Sequence, residues 1–240
     1  MYYSSINNDF IKNIKKLNTK KYRDLRCEFL IEGEHLVNEA IKNNIVKYVI
    51  LEENTVFDTD IKIIKASKKV LKYITNLESP QPVMAVCEKI KEKNVGNKIM
   101  ILDNIQDPGN LGTIIRSCVA FNVDTLIISD NSVDLYNPKV LRATQGMIFH
   151  LNIIVTNLIK IIKELKDEGY KVAGTNVVNG TLVSEFEKKE RFAIIMGNEG
   201  NGVSSEVSKL IDENIYIPIS QTCESLNVGV AASIILYELR

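Results

Sequence analysis

The sequence has no tryptophan, only two histidines and only four cysteines in 240 residues. The cysteines are widely separated and form no CxxC pair, which argues against a zinc knuckle and against a disulfide framework. No stretch reaches the about 18 consecutive apolar residues that a membrane span requires. The first residues lack the basic-then-apolar order of a secretory signal. These absences predict a soluble cytoplasmic protein with reduced thiols and no membrane partner.

Net charge is absent as well, because 30 basic side chains balance 30 acidic ones. The beginning of the chain differs, since residues 1–26 hold seven basic and two acidic side chains, a local charge of +5. A basic arm on an otherwise mildly acidic chain can contact phosphates. A solvated helix face explains the same charges without a ligand. The candidate nucleic-acid contacts in this arm are Lys15, Lys16, Lys20, Lys21 and Arg23.

The chain divides at a charged segment, KEKNVGNK, which carries a glycine and has no periodic apolar face. Short strand-like and helical segments alternate before it. We interpret the segment as a linker between a small domain over residues 1–93 and a second domain over residues 98–240.

The second half alternates more regularly between strands and helices. Its strand-like runs are KIMILDNI, DTLIISD, YKVAGTNV, RFAIIMGN and NIYIPIS. The predicted helices are Leu111 to Phe121, Pro138 to Gln145, Leu158 to Glu168, Ser204 to Leu210 and Val228 to Leu239. This alternation predicts an α/β fold with a parallel sheet covered on both faces. Ligands of such sheets bind beyond the carboxyl ends of the strands, so the segments that follow these strands are the candidate sites.

The first candidate segment runs from Asp103 to Gly112 and is followed by Arg116. A strand leads into a polar turn with proline and glycine, and Asn110 stands where a helix cap is expected. Arg116 lies six positions later, about 240° around a helix, so the two residues need not share a face. A capped helix with one exposed arginine explains the same residues without a ligand.

The second candidate segment is glycine-rich and directly follows the strand FAIIM. Gly197, Gly200 and Gly202 allow tight turns and a close approach of the backbone to a ligand. Glu199 would repel a diphosphate and suits a hydroxyl-bearing or cationic ligand better. A glycine-rich turn that binds nothing is the alternative.

The third candidate segment joins a strand ending to a helix start. The run IPI is followed by a polar loop and then by SLNVGVAA, whose small residues permit close backbone packing. Ser225 and Asn227 offer hydrogen-bond donors and acceptors at that helix start. A helix cap alone is again the alternative, so the functional interpretation depends on the combination of the three segments in this order.

The order N-x-x-D-P-G-N-L-G-x-x-x-R, M-G-N-E-G-x-G and I-P-I-x6-S-L-N-V resembles the three motifs of the SpoU/TrmH family of RNA ribose methyltransferases. The resemblance covers about residues 98–240. The run FLIEGEHLVNEAI also resembles the ribosomal-protein-like, RNA-binding domain that many members carry ahead of the catalytic one. The whole chain is similar to members that act on large-subunit ribosomal RNA rather than to the shorter tRNA enzymes.

The resemblance implies that the carboxyl-terminal domain is threaded into a trefoil knot. Periodicity cannot reveal this, because knots are nearly absent from other folds. It also implies S-adenosylmethionine as the cofactor, a homodimer through the knotted domain, and no metal. The cofactor-binding positions that it carries over are Thr175, Asn176, Gly197, Ile217, Ser225 and Leu226.

The catalytic positions implied by the resemblance are Asn110, Arg116, Glu199, Ser225 and Asn227. The family assigns to Arg116 the activation of the ribose hydroxyl. A guanidinium has a pKa above about 12 and no free lone pair. Arg116 is therefore either deprotonated in a special site or, as we favour, stays charged and stabilises a developing alkoxide. We expect Asn110 and Ser225 to orient the arginine and the ribose, Asn227 to hold the loop, and Glu199 to bind Arg116 or a ribose hydroxyl.

Some features depart from the family or stay open. Many members have a serine where this chain has Gly229, which puts a role for that hydroxyl in doubt. Arg142 and His150 are further possible RNA contacts. The alternative functions are a tRNA ribose methyltransferase, a non-catalytic RNA-binding protein that keeps the fold, a base methyltransferase, and an oxidoreductase. The last lacks the G-x-G-x-x-G fingerprint after its first strand.

Overall fold

Two β-sheets organise the part of the chain that the structure describes, one with five strands and one with seven. The computed structural model describes residues 1–177 and 180–240. Their contacts form two units. Unit 1 comprises residues 1–91 and 134–149, and unit 2 comprises residues 92–133 and 150–240.

The segment 134–149 belongs to unit 1, although the predicted domain limits assign it to the second domain. Aromatic packing within unit 1 accounts for this. Phe29 lies against Tyr136 and Phe149, with ring centroids 4.7 and 6.4 Å away. The Tyr136 hydroxyl also accepts a hydrogen bond of 3.0 Å from the backbone N–H of Ile90. These contacts join residues that are far apart in the chain.

Residues 1–91 of unit 1 form a mixed sheet with helices. In chain order the elements are β1 (Tyr2–Tyr3), α1 (Asp9–Lys16), α2 (Lys20–Arg26), β2 (Glu28–Glu32), α3 (Glu34–Lys42), β3 (Val46–Glu52), β4 (Ile63–Ala66), α4 (Lys68–Ile74) and β5 (Val83–Glu88). The strand order is β1-β4-β3-β5-β2. β5 is antiparallel to both of its neighbours, and the other pairs are parallel.

The basic beginning of the chain is folded into the core of unit 1. α1 is amphipathic and buries Ile11 and Ile14 in that core. Asn8 caps the helix, because its side chain accepts a hydrogen bond of 2.9 Å from the backbone N–H of Phe10. Lys16 is exposed on the same helix. The charged residues of this region therefore lie on ordered helices, not on a free arm.

Residues 92–240 contain the remaining elements. In chain order they are β6 (Lys98–Leu102), α5 (Pro108–Ala120), β7 (Thr125–Ser129), α6 (Pro138–Ala143), β8 (Asn152–Thr156), α7 (Leu158–Asp167), β9 (Lys171–Thr175), β10 (Thr181–Leu182), β11 (Phe192–Met196), α8 (Ser205–Ser208), β12 (Glu213–Tyr216) and α9 (Val228–Glu238). Short 3-10 helices cover Met147–His150 and Val183–Glu185. α6 is the helix of the segment that groups with unit 1.

The sheet of unit 2 is parallel throughout, in the order β10-β12-β9-β11-β6-β7-β8. β7 and β11 are buried along their whole length, as expected for strands with both faces covered. The predicted α/β fold with a parallel sheet is confirmed, whereas the trefoil knot stays a prediction. None of the helices within residues 1–177 and 180–240 is long and apolar enough to cross a bilayer.

Candidate active site

The loops that follow β9, β11 and β12 meet at the carboxyl edge of the parallel sheet and enclose a cavity of about 740 Å³. This volume lies within the range of about 300–1,000 Å³ that is usual for small-molecule sites. The position is the one expected for ligands of parallel sheets. The lining is part polar and part apolar, with side chains such as Asn176, Asn198, Met196 and Ile215.

The structure brings the predicted cofactor-binding residues together. All of them line this cavity, namely Thr175, Asn176, Gly197, Ile217, Ser225 and Leu226. Four of the five predicted catalytic residues also line it, namely Asn110, Glu199, Ser225 and Asn227. Arg116 is not part of the lining. The roles of these residues stay predictions, whereas their convergence on one cavity is a property of the fold.

The glycine-rich loop after β11 folds back tightly on itself. Asn198 and Gly202 exchange two backbone hydrogen bonds of 2.9 and 3.0 Å. A Cβ at Gly197 would lie 2.0 Å from the carbonyl carbon of Gly202, so the close approach requires glycine. Gly202 has a φ of +67°, in the left-handed region that glycine adopts without strain. The spacing of the glycines therefore serves this turn and presents Glu199 at its tip.

Glu199 accepts hydrogen bonds from the loop between β6 and α5. The backbone N–H groups of Gln106 and Asp107 donate to its carboxylate at 3.3 and 3.1 Å, and Asn110 Nδ2 donates at 3.0 Å. Partial burial alone raises the pKa of the Glu199 carboxyl, but these hydrogen bonds outweigh burial and lower the pKa below its ordinary value. Glu199 is therefore ionised at neutral pH and joins the first and second motifs.

Asn110 and Asn227 join the first and third motifs. Asn227 Nδ2 donates a hydrogen bond of 2.8 Å to Asn110 Oδ1. The Asn227 side chain also caps α9 by accepting from the backbone N–H groups of Gly229 and Val230. With Glu199 bound to Asn110, a continuous hydrogen-bond network crosses all three motifs.

The predicted cap of α5 was wrong by three positions. Asp107 is the N-cap, and its side chain accepts a hydrogen bond of 2.8 Å from the backbone N–H of Asn110. The reason is Pro108, because proline favours the first position of a helix and lacks the N–H that would otherwise need a partner. Asn110 therefore lies in the first turn, and its side chain is free to bind Glu199 and Asn227.

Arg116 lies in α5 with its side chain exposed. Among the described residues its guanidinium makes no hydrogen bond or ion pair. The expected contacts of Arg116 with Glu199 and Asn110 are therefore not made within the chain, because Glu199 is occupied by the first-motif loop and Asn110 points to Glu199 and Asn227. Both residues lie within α5, so the angular separation of about 240° applies to them directly.

Two further residues that support the site, Asn198 and Ser129, were not among the predicted site residues. Asn198 Nδ2 donates to the backbone carbonyl of Asn104 at 2.8 Å, and Asn198 Oδ1 accepts from the backbone N–H groups of Gly200 and Asn201. Ser129 Oγ accepts from the backbone N–H of Asn104 at 2.8 Å. Asn198 could have been noticed in the second motif, but Ser129 ends an ordinary apolar strand.

Gly229 has little room for a side chain. A Cβ there would lie 3.1 Å from Cγ2 of Thr113 and 3.2 Å from Oδ1 of Asn227. A serine at this position would crowd Thr113 or disturb the Asn227 cap. The absence of a side chain at Gly229 therefore leaves room for Thr113 of α5.

Four lysines of the basic arm differ in the contacts that their ammonium groups make inside unit 1. Lys15 donates to the carbonyl of Thr75 at 3.3 Å. Lys16 is exposed and donates to Asn13 at 3.1 Å, whereas Lys20 pairs with Asp24 at 2.7 Å. Lys21 is exposed and makes no hydrogen bond or ion pair among the described residues. The accessible charge is therefore smaller than the composition indicates.

Arg23 is buried, with 4% of its surface exposed, which makes its prediction as an RNA contact wrong in this structure. Its guanidinium donates to the backbone carbonyl of Leu17 at 2.8 Å and forms an ion pair with Asp134. Arg142 lies half-buried at the end of α6. Burial raises the pKa of the Glu32 carboxyl, and the positive charge of Arg142 partly offsets this rise. His150 is exposed.

The lining of the cavity fits a cationic, adenosine-bearing cofactor better than a phosphate-bearing one. No lysine, arginine or histidine occurs in the described part of the lining, so a phosphate would meet no cation there. Glu199 supplies negative charge, and Met196, Ile217 and Leu226 supply apolar surface for a base. Within residues 1–177 and 180–240 no group of three or more His, Cys, Asp and Glu side chains is placed to hold a metal ion.

Comparison with known families agrees with this geometry. The family model described as the SpoU rRNA Methylase family matches residues 97–237, and one described as the MRM3-like substrate binding domain matches residues 8–85. The chain is 42% identical to the 23S rRNA (guanosine(2553)-2'-O)-methyltransferase RlmP of Bacillus subtilis, over 98% of each chain.

Solved structures show the same likeness. The AdoMet-bound rRNA methyltransferase from Sinorhizobium meliloti is similar with a TM-score of 0.87 and 27% identity, covering 100% of this chain and 97% of that one. An RNA 2'-O ribose methyltransferase is similar with a TM-score of 0.82 and 25% identity, covering 99% and 97%. The resemblance inferred from the motifs is confirmed, and the chain belongs to the SpoU rRNA methylase family.

Proposed function

We propose that this chain transfers a methyl group from S-adenosylmethionine to a ribose 2′-hydroxyl of large-subunit ribosomal RNA. One observation carries the proposal: three motifs that are far apart in sequence converge on one cavity, where Glu199, Asn110 and Asn227 form a continuous network. Family membership and the Bacillus subtilis relative, whose name specifies 23S rRNA and 2'-O transfer, support the same reaction.

The residues that would hold the cofactor are those of the cavity lining that the motifs predict. When bound, S-adenosylmethionine supplies a methyl group on a positively charged sulfur. The ionised Glu199 contributes negative charge to the same cavity and so favours a cationic group there. Thr175, Asn176, Gly197, Ile217, Ser225 and Leu226 would contact the cofactor.

Arg116 would act on the ribose hydroxyl as a cation. Its guanidinium has no free lone pair at neutral pH, so it cannot accept the hydroxyl proton. It can donate hydrogen bonds to the 2′-oxygen as negative charge develops there, while an RNA phosphate or a water takes the proton. The absence of an internal partner for this side chain among the described residues leaves the whole guanidinium available for the substrate.

The proposed enzyme is a homodimer whose knotted regions pack together. Within one chain Arg116 lies outside the cavity lining, whereas the proposed chemistry needs it beside the hydroxyl. A second copy would supply residues to each site, as the family resemblance implies. The homodimer and the knot are both part of this proposal.

Unit 1 is the proposed RNA-binding part, and its residues 8–85 match a substrate binding domain. Lys15, Lys16, Lys20 and Lys21 and the half-buried Arg142 are the proposed contacts, and Arg23 is withdrawn from this set because it is buried. We further propose that residues 1–93 carry most of the RNA recognition, with Arg142 as an added contact, and that residues 98–240 carry methyl transfer. Since the proposed substrate is ribosomal RNA, we propose a cytoplasmic location.

The test is methyl transfer from labelled S-adenosylmethionine to ribosomal RNA that lacks modifications, with the modified position mapped by its resistance to alkaline cleavage. The Arg116→Ala variant serves as the inactive comparison, and cofactor binding is measured for both proteins. Label at one alkali-resistant position of 23S rRNA, absent with the variant, is the expected result.

Other outcomes would reject the proposal in different ways. Label in tRNA alone would replace ribosomal RNA by tRNA as the substrate. Alkali-labile label would indicate base methylation. Cofactor binding without transfer to free ribosomal RNA, to assembly intermediates or to tRNA would identify a binding protein that has lost catalysis.

A further inference from the structure

Asn104 is the first residue of the first motif, and it lies where the chain turns from β6 towards α5. Its φ is +59°, in the left-handed region that asparagine adopts more readily than most other residues with a side chain. Such a conformation still costs free energy outside glycine, and it persists only where neighbouring contacts enforce it. The residues around Asn104 therefore have to maintain this turn.

Hydrogen bonds to the backbone and the side chain of Asn104 hold the turn. Its backbone N–H donates to Ser129 Oγ at 2.8 Å, and its carbonyl accepts from Asn198 Nδ2, also at 2.8 Å. Its Oδ1 accepts from Gln106 Nε2 at 2.5 Å. Ser129 is buried at the end of β7, so its hydroxyl is held in place. All four residues belong to unit 2.

The turn at Asn104 sets the direction of two peptide N–H groups that follow it. Those of Gln106 and Asp107 donate to the Glu199 carboxylate at 3.3 and 3.1 Å. The Gln106 side chain braces the turn a second time, because its Nε2 also donates to the carbonyl of Asn131 at 2.9 Å. A change of φ at Asn104 would therefore turn both N–H groups away from the carboxylate.

We propose that Asn104 is a positioning residue for the methyl transfer. Its left-handed backbone, held by Ser129 and Asn198, directs two N–H groups to Glu199 and so fixes the place of that carboxylate in the cavity. Asn104 itself is not part of the cavity lining. This inference rests on the proposed function of the cavity.

The place of the Glu199 carboxylate matters because its charge attracts a cation more strongly at shorter distance. S-adenosylmethionine carries a positively charged sulfur, whereas the sulfur of its demethylated product, S-adenosylhomocysteine, is neutral. Displacement of the carboxylate should therefore weaken binding of the first ligand more than binding of the second. A general loosening of the cavity would weaken both alike. The ratio of the two affinities thus reports where the charge lies.

The test is Asn104→Ala, which removes the bond from Gln106 and places at this φ a residue that disfavours it. Hydrogen–deuterium exchange should become faster in the peptide over residues 103–110. The ratio of affinities for S-adenosylmethionine and S-adenosylhomocysteine, measured by calorimetry, should fall about threefold. The kcat should fall about tenfold. The peptide of α7 should keep its exchange rate, which shows that unit 2 stays folded.

The matched control is Asn122→Ala, just beyond the other end of α5. Asn122 has a φ of +54°, so the substitution introduces the same backbone strain away from the cavity lining. Exchange in 103–110, the affinity ratio and kcat should all stay at wild-type values.

Two further variants separate the backbone from the side chain. Asn104→Gly accepts the left-handed φ without strain and loses only the side-chain bond, so it should lose less kcat than Asn104→Ala. Ser129→Ala removes the acceptor of the Asn104 N–H from another strand and should change all three readouts in the same direction as Asn104→Ala.

The inference is overturned by wild-type exchange in 103–110, an unchanged affinity ratio or a normal kcat in folded Asn104→Ala. An equal loss of kcat in Asn122→Ala would also overturn it. Faster exchange that extends to α7 in both Asn104→Gly and Ser129→Ala would do the same, because these residues would then serve only the fold. If wild type binds neither ligand or transfers no methyl group, the proposed function fails, and exchange in 103–110 still decides whether Asn104 holds the loop.

Discussion

Unit 1 and unit 2 use their charged side chains differently. In unit 1, Arg23 is paired with Asp134, Lys20 with Asp24 and Lys47 with Glu28, so much of the positive charge is balanced internally. At the site of unit 2, the carboxylate of Glu199 is held by N–H groups rather than by a cation, and Arg116 has no partner among the described residues. In unit 1 these cationic side chains form ion pairs that stabilise the fold. In unit 2 the unpaired guanidinium of Arg116 is available to bind a substrate.

The largest expected effect is on stability, and it separates a buried ion pair from an exposed one. Arg23→Ala should lower the free energy of unfolding by about 3–5 kcal/mol, because it leaves the mostly buried carboxylate of Asp134 without its cationic partner. Lys20→Ala removes an exposed pair on the same helix and should cost about 1 kcal/mol or less. Urea unfolding followed by circular dichroism measures both. Equal losses in the two variants would show that burial does not distinguish the pairs.

The next effect concerns the unpaired arginine of unit 2. Arg116→Ala should lower kcat about 100- to 1,000-fold, because a donor to a developing oxyanion is lost. Cofactor affinity and unfolding should stay at wild-type values, since Arg116 does not line the cavity and forms no bond with any residue that the structure describes. Arg191→Ala, an exposed arginine of the same unit, is the control for loss of charge. A variant at Arg116 that keeps wild-type kcat would remove it from catalysis.

A moderate effect separates two carboxyls by their pH dependence. Burial raises the pKa of Glu32 in unit 1, whereas hydrogen bonds outweigh burial and lower the pKa of Glu199. The contribution of Glu199 to stability is therefore present above its ordinary pKa and is lost as pH falls through the lowered value. That of Glu32 is present below its ordinary pKa and is lost as pH rises through the raised value.

Glu199→Gln and Glu32→Gln test this contrast when unfolding is measured across pH 3 to 8, a range of about five units around the ordinary carboxyl pKa. The difference between Glu199→Gln and wild type should shrink on acidification. The difference between Glu32→Gln and wild type should change in the opposite direction. Parallel pH profiles for the two variants would contradict the assigned shifts.

The smallest effect concerns RNA binding by the basic arm. Replacing Lys16 and Lys21 by glutamine should reduce the slope of log affinity against log salt by about 1 for each phosphate contact that is lost. The same change at Lys160 and Lys163 of α7 controls for net charge. Filter binding at several salt concentrations measures the slopes. An unchanged slope in the first variant would exclude these lysines from the interface.

The parallel sheet and its motif loops could be predicted because each depends on local pattern. The apolar strand FAIIM and the glycines after it indicate a buried strand and a tight turn without knowledge of any partner. Asn227 was placed at a helix start for the same reason, and it caps α9. The shift of the α5 cap to Asp107 was also local, and Pro108 would have indicated it.

The parts that could not be predicted depend on distant partners. Nothing near Tyr136 shows that its ring packs on Phe29, so the assignment of 134–149 to unit 1 was missed. The sequence does not distinguish Arg23 from an arginine that binds RNA. Its ion pair with Asp134, which is distant in the chain, identifies it as a buried residue that stabilises unit 1. Strand β8 was not among the predicted strands. It follows a 3-10 turn and, among the described strands, pairs with β7 alone, at an edge of the sheet where the sequence pattern is weak.

The placement of residues 134–149 has a consequence for synthesis on the ribosome. Unit 1 begins at the amino terminus of the sequence, yet its core needs Tyr136 and Phe149, and Arg23 needs Asp134. Chains grow at about 5–20 residues per second, and domains usually fold in the order in which they emerge. Here the first unit stays incomplete until β6, α5 and β7 of the second have been translated. Unit 1 can therefore be completed only after the first part of unit 2, up to residue 133, has been translated.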